Sequence, residues 1–229
     1  MKDQYGIVLS FDTDWCPDSM IEPILQKLRQ FNIKSTWFVT NDSPLIQSMK
    51  EDPLVELGIH PNFLPDSTQG KTYDEILCNL IKIVPDAVSV RNHTLYWSSG
   101  LLDRFERFGI KYDSSLSLQS SKNIKPYKNK STNLLRFPIY WEDDIALMEN
   151  NINIDLAVSG LKILNFHPVH ILLNSYSIAN YSMAKRNQNW NDYINNGNIE
   201  GIRNVFEKLV LSLKNKKLYT LKELGESYN

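Results

Sequence analysis

Two cysteines in 229 residues, Cys16 and Cys78, leave no basis for a disulfide framework or a cysteine metal centre, and they fit a reducing compartment. Charge of one sign is equally lacking. Against 26 acidic residues stand 25 basic ones, for a formal charge of -1, and no segment gathers enough Lys and Arg for a phosphate-binding stripe, so nucleic acid is not an expected partner. Apolar runs of membrane-spanning length are missing, which argues against a transmembrane helix. No basic segment with an apolar run precedes the first strand-like stretch, and a cytoplasmic protein is expected. Internal repeats are absent. The length suits one large α/β domain, residues 1–229, better than two small ones.

What is present is an alternation of two periods. Apolar, β-branched or aromatic runs at Gly6–Phe11, Ile33–Thr40, Leu54–His60, Ala87–Arg91, Leu134–Ile139 and Leu161–Phe166 read as buried strands. Between them, Ile21, Ile24, Leu25, Leu28 and Phe31 recur at helical spacing, as do Ile76, Leu77, Leu80 and Val84, and later Ile202, Val205, Phe206, Leu209 and Val210. Such alternation implies right-handed crossovers and a mostly parallel sheet, open or closed into a barrel, with its site at the carboxyl ends of the strands. Two polar stretches interrupt it. Ser117 to Asn133 reads as a solvated surface loop, and Asn174 to Asn198, carrying Trp190, as a polar excursion or a lid over a sugar site.

The chemistry begins at Leu9-Ser10-Phe11-Asp12-Thr13-Asp14-Trp15. Two carboxylates one residue apart at a strand end share a face and aim at one point, and a cation is the simplest partner that lets both ionise. Asp18 is the expected cap of the helix that follows. All four histidines fall at or near strand ends: His60 after the third strand, His93 after Arg91-Asn92, and His167 and His170 after Phe166. Joint placement at one rim predicts a shared pocket.

These phrases, in this order, resemble the polysaccharide deacetylases of carbohydrate esterase family 4, whose NodB homology domain is a distorted (β/α) barrel. The branch most similar is the WbmS-like one, associated with surface-polysaccharide gene clusters, through Asp12-Thr13-Asp14-Trp15, His60-Pro61-Asn62-Phe63-Leu64-Pro65, Tyr112-Asp113-Ser114 and Phe166-His167-Pro168. The resemblance implies a divalent ion, zinc first, and removal of an N-acetyl group from an acetylated sugar, nucleotide sugar or oligosaccharide. It implies Asp12 as base, Asp14 and His60 as metal ligands, Arg91 as the group steadying the base, Asp143 or Asp144 orienting Arg91, and His167 as acid. Tyr140, Trp141 and Trp97 are the expected apolar wall around substrate. One departure matters: Leu64 stands where the family's second metal-binding His belongs. The third ligand is expected to be Asn62, with His93, His170 and Asp66 as alternatives, and an Asn carbonyl would hold zinc less tightly than imidazole.

Plainer readings accompany these. His170 would brace His167 from the same helical turn, and Asp113 would form a turn. A dehalogenase-type phosphatase also opens with Asp-x-Asp after a strand, but leaves His60, Arg91 and His167 unexplained. A sugar-binding domain that has lost its metal is the other rival, and such a domain has little need of both a base and an acid.

Overall fold

The computed structural model describes residues 6–187, 190–197 and 199–228. Its strands, in chain order, are β1 (Ile7–Asp12), β2 (Ser35–Val39), β3 (Val55–Ile59), β4 (Ser89–Val90), β5 (Tyr112–Asp113), β6 (Tyr127–Lys128), β7 (Leu135–Arg136), β8 (Trp141–Glu142) and β9 (Lys162–Phe166). They form one sheet in the order β6-β7-β5-β4-β3-β2-β1-β9-β8. Every neighbouring pair is parallel except β6 with β7. The α-helices are α1 (Asp18–Gln30), α2 (Pro44–Met49), α3 (Tyr73–Ile83), α4 (Ser99–Arg107), α5 (Asp143–Met148), α6 (Pro168–Leu173), α7 (Ile178–Asn187), α8 (Ile202–Leu213) and α9 (Leu221–Glu226). None is long and apolar enough to cross a membrane among the described residues. The sheet curls into a distorted half-barrel, as the family resemblance implies.

Two expectations are corrected. The stretch 117–133 is not a solvated loop throughout. Ser117 bridges Ile139, buried Ile124 bridges Gly160, and Tyr127–Lys128 pairs with β7, so this stretch spans from the β5–β7 side of the sheet to the β8–β9 side. Asp18 does not cap α1 either. Pro17 occupies that position, and the Asp18 carboxylate accepts the N–H of Leu45 at 3.2 Å, one of the donors left without a helical partner at the start of α2. The stretch 174–198 is folded where it is described: α7 and a 3-10 turn at Trp190–Tyr193 cover a small cluster of Met20, Val169, Leu173 and Ala184 beside the main core.

Strand alternation decides which side chains reach the barrel interior. Phe11 points outward, stacking on Trp37 at 4.1 Å and meeting Phe206 of α8 edge-on, while its neighbours Ser10 and Asp12 point inward. Register then sets Ser10 level with Asn165 of β9, and Asn165 level with Glu142 of β8. A deeper polar layer centres on Glu56. Thr36 and Ser89 donate to its carboxyl, as does the N–H of Lys222, while the N–H of Leu221 donates to Thr36, so α9 closes that end of the barrel. Burial pushes the Glu56 carboxyl up against these donors. Between the layers Phe38 lies against Gly58, where a Cβ would stand 2.9 Å from its ring, and the Arg91 guanidinium sits over the ring, 4.3 Å from its centre.

Candidate active site

The turn after β1 is built under strain. Asp14 and Trp15 both adopt left-handed backbone (φ 43° and 57°), held by the N–H of Trp15 donating to Thr40 Oγ1 at 2.8 Å and the N–H of Thr40 donating to Thr13 Oγ1 at 3.1 Å. A second strained turn follows His93, where Thr94 and Leu95 have φ of 56° and 53°. The His93 N–H donates to the carbonyl of Pro61 at 2.9 Å, which draws the loop after β4 against the loop after β3. Gln69 fixes that junction by donating to the carbonyls of Thr40 and His60 and accepting the N–H of Asn62.

The two turns bring His60 Nε2 and His93 Nδ1 each to 3.1 Å from Asp14 Oδ1. Tetrahedral zinc with bonds of about 2.0 Å spaces its ligands by roughly 3.3 Å, so one carboxylate and two imidazoles at this separation are a donor set that fits a divalent ion. Burial would raise the Asp14 carboxyl, but hydrogen bonding by His60 and His93 and the charge of His167 outweigh it and hold Asp14 well below the usual range. Of the expected third ligands, Asn62 has its side-chain oxygen accepting the N–H of Leu64 at 3.0 Å in a local turn, while His93 is the one grouped with Asp14 and His60. Asp66 lies farther along the loop in left-handed backbone, and His170 belongs to another group.

Beside this trio lies Asp12. Its Oδ1 pairs with Arg91 Nη1 at 3.0 Å, and its Oδ2 accepts from Asn165 Nδ2 at 2.8 Å. Arg91, wholly buried, donates further to Asn165 Oδ1, to Ser10 Oγ at 3.0 Å, and to the Ser114 carbonyl and hydroxyl at 3.2 and 2.9 Å. Neither Asp143 nor Asp144 orients it, contrary to expectation. The aspartates of α5 turn instead to the histidines of α6.

Asp143 clamps His167, accepting its backbone N–H at 2.8 Å on one oxygen and meeting Nδ1 at 2.6 Å with the other. His167 Nε2 then faces Asp12 Oδ2 at 3.8 Å and Asp14 Oδ2 at 3.7 Å. Burial alone would discharge the imidazolium, but the charges of Asp143 and Asp144, with the Asp143 hydrogen bond, hold His167 protonated well above its ordinary value. His170 packs edge-on against His167, ring centres 5.8 Å apart, and makes its hydrogen bonds elsewhere. Its Nε2 takes Asp144 Oδ1 at 2.7 Å and its Nδ1 meets Ser175 Oγ at 3.0 Å. Asp113 does form a turn, accepting the N–H of Ser115, and also pairs with Arg136 at 2.6 Å.

The expected aromatic wall is corrected as well. Trp141 is wholly buried with its ring 4.9 Å from Phe166, and Tyr140 is buried with its hydroxyl donating to the Asp155 carbonyl and Lys162 over its ring. Trp97 keeps half its surface, with the Arg136 guanidinium 5.8 Å from its ring centre. Sequence reading missed Asn165, Ser10 and Glu142. Glu142 lies within 4.8 Å of both Asp12 and His167, counted between one ligand atom of each, and burial pushes its carboxyl up to about 8.

The family profile of WbmS-like polysaccharide deacetylases matches residues 9–185. Among solved structures, the WbmS protein of Bordetella bronchiseptica, assigned as a polysaccharide deacetylase of O-antigen biosynthesis, is 27% identical over 90% of each chain with a TM-score of 0.81. The Bc1960 peptidoglycan N-acetylglucosamine deacetylase shares the fold at 14% identity, with 98% of this chain and 89% of that one covered and a TM-score of 0.54. The peptidoglycan deacetylase PdaC of Bacillus subtilis does so at 16% identity, 100% and 95% coverage and a TM-score of 0.50. Among curated proteins no sequence matches significantly. With its profile spanning most of the barrel, the chain belongs to the WbmS-like polysaccharide deacetylase family.

Proposed function

We propose that the protein is a metal-dependent hydrolase that removes an N-acetyl group from a sugar destined for a surface polysaccharide. The observation that carries this reading is the opposition, across 3.8 Å, of a carboxylate gripped by donors and an imidazolium gripped by carboxylates. Asp14, His60 and His93 would hold the ion, and zinc suits their donor set. Bound there, the ion supplies a Lewis acid that polarises the acyl carbonyl and acidifies the attacking water.

The chain's own residues supply the proton transfers. Asp12, its oxygens aimed by Arg91 and Asn165, takes the proton of the water. His167, kept charged by Asp143, gives the proton of Nε2 to the departing nitrogen. Phe63, Leu64, Tyr73 and Tyr96 line a cavity of about 530 Å³ beside the loops that carry His60 and His93, and a sugar ring fits such an aromatic cleft. Half-exposed Trp97 is proposed as a further substrate contact. A binder that has lost its metal is disfavoured because His93 supplies the imidazole that Leu64 cannot. The O-antigen assignment of the Bordetella relative supports a surface polysaccharide as the destination.

Two variants test the reading. Asp12→Asn should lower acetate release from N-acetylated sugars by about a hundredfold or more while zinc content, read by mass spectrometry, stays at wild-type level. Asp14→Ala should lose both. Equal metal loss in the two variants would show that the roles are misassigned.

A further inference from the structure

Two Asp–His pairs stand side by side at the rim. Asp143 and Asp144 begin α5, and they pair in order with His167 and His170, three residues apart at α6. The first pair serves the proposed acid. The second enters the chemistry above only through the charge of Asp144 on His167, yet it is elaborately held: His170 is buried, its Nδ1 meets Ser175 Oγ, and the Tyr181 ring packs edge-on against it at 4.6 Å. What this apparatus fixes is one oxygen of Asp144. The other, Oδ2, faces His167 Nε2 at 3.8 Å, on a side chain that keeps 34% of its surface exposed. A carboxylate needed only to charge His167 would duplicate Asp143.

We propose that Asp144 determines specificity for N-acyl over O-acyl sugars, its Oδ2 accepting the N–H of the scissile amide and then pairing with the ammonium of the product. The proposal rests on the deacetylase reading. His167 Nε2 addresses the leaving atom, so an acceptor 3.8 Å from Nε2 is within reach of the hydrogen that atom already carries. An amide nitrogen has such a hydrogen. An ester oxygen has none and would turn lone pairs toward a carboxylate, a repulsive contact. Burial would raise the Asp144 carboxyl, but the charge of His167 and the hydrogen bond to His170 bring it down to about 2, so at neutral pH it only accepts. The balance is closed without it: the carbon–nitrogen bond breaks and a carbon–oxygen bond forms, one proton passes from water to Asp12 and another from His167 to nitrogen to give the neutral amine. The acetic acid then gives its proton to the amine, making acetate and the ammonium, the proton on Asp12 returns to His167, and Asp144 gains and loses none.

The experiment uses four methyl glucosides with zinc-loaded protein: 2-acetamido and 2-O-acetyl as substrates, 2-amino and unmodified as ligands. In Asp144→Ala the ratio of amide to ester kcat/KM should fall about tenfold or more, and the preference for the 2-amino over the unmodified glucoside, read by NMR titration, should vanish. Asp144→Asn, nearly isosteric, replaces the alanine variant if that one does not fold, with the same loss of ammonium preference expected. An equal fall for amide and ester would assign Asp144 a general electrostatic role, and an ammonium preference retained in the variant, or absent in the wild type, would overturn the proposal directly. Should the wild type release acetate from neither substrate while the ammonium preference exists and depends on Asp144, the deacetylase reading fails and the assignment of Asp144 as amine receptor stands.

Discussion

The two flanks of the cleft are made from the same materials in opposite order. On one flank the proposed base is an anion, Asp12, held by a buried guanidinium and a carboxamide that both donate to it. On the other the proposed acid is a cation, His167, held by the carboxylate of Asp143 with Asp144 nearby. The groups face each other at 3.8 Å, so solvent and distance do not separate their behaviour; the partners behind them do. The lesson is that the role of each group is set one shell back, by whether its neighbours donate or accept, and the contrast can be broken from either side.

Breaking the anionic flank should cost most. Arg91→Met removes a wholly buried cation and leaves the buried Asp12 carboxylate with Asn165 as its remaining hydrogen-bond donor. Loss of one partner of a buried pair costs about 3–5 kcal/mol, so urea denaturation should show a fall of that order, and acetate release should fall with it. A stability within about 1 kcal/mol of wild type would mean that Asp12 finds other donors.

On the cationic flank Asp143→Asn keeps the shape and removes a charge. Activity should drop roughly tenfold to a hundredfold, less than loss of the acid itself, and the alkaline limb of the pH profile should move to lower pH as His167 gives up its proton sooner. Stability follows with the same sign. Because the folded His167 binds its proton more tightly than the unfolded chain, its stabilisation is complete below about pH 6.5 and is lost as pH rises through the raised folded value. Chelator-treated wild type should therefore lose stability over that range, and Asp143→Asn should lose less. An unmoved alkaline limb would show that Asp143 does not set the charge of His167.

Glu142 sits between the flanks and tests whether they are electrically separate. Its carboxyl, raised to about 8 by burial and by Asp12 against the opposing pull of His167, stays protonated when the unfolded chain has already ionised. Its contribution is thus full below about pH 4.3 and declines toward pH 8. Glu142→Gln, permanently neutral, should flatten the fall in stability across that window by up to about 1 kcal/mol per pH unit, as read from urea midpoints. A curve parallel to wild type would mean that Glu142 is ionised in the folded protein.

Much of this architecture was legible in the chain because buried strands and amphipathic helices repeat at fixed periods. β1, β2, β3 and β9 answer to long apolar runs, and α1, α3 and α8 to the helical spacing of Ile, Leu and Phe. Strands of two residues, such as β5 and β8, carry no period at all. Parity explains the aromatic wall: Trp141 and Glu142 are adjacent, so turning Glu142 inward sends Trp141 to the core. Ser10 and Asn165 are 155 residues apart and look like stray polar residues until the register sets them level. The approach of His93 to Asp14 depends on a backbone hydrogen bond between two loops, from His93 to Pro61, which spacing along the chain does not encode.

The finest test of the contrast is Ser114→Ala. The hydroxyl accepts from Arg91 Nη2 at 2.9 Å and itself donates to the Phe137 carbonyl at 2.9 Å, so it links the buried cation to the backbone before β8. Its loss leaves Arg91 with Asp12, Asn165, Ser10 and the Ser114 carbonyl, which preserves the pair and removes one of its fixings. One buried hydrogen bond to a charged group is worth about 1.5–3 kcal/mol, and the remaining acceptors should reduce the cost to about 1 kcal/mol. If orientation of the base is what Arg91 provides, kcat should fall several-fold while KM for the acetylated sugar holds, because the anion stays charged and is less well aimed. A change in KM alone would move Arg91 from aiming Asp12 to binding the substrate, and the two flanks would then differ in kind as well as in sign.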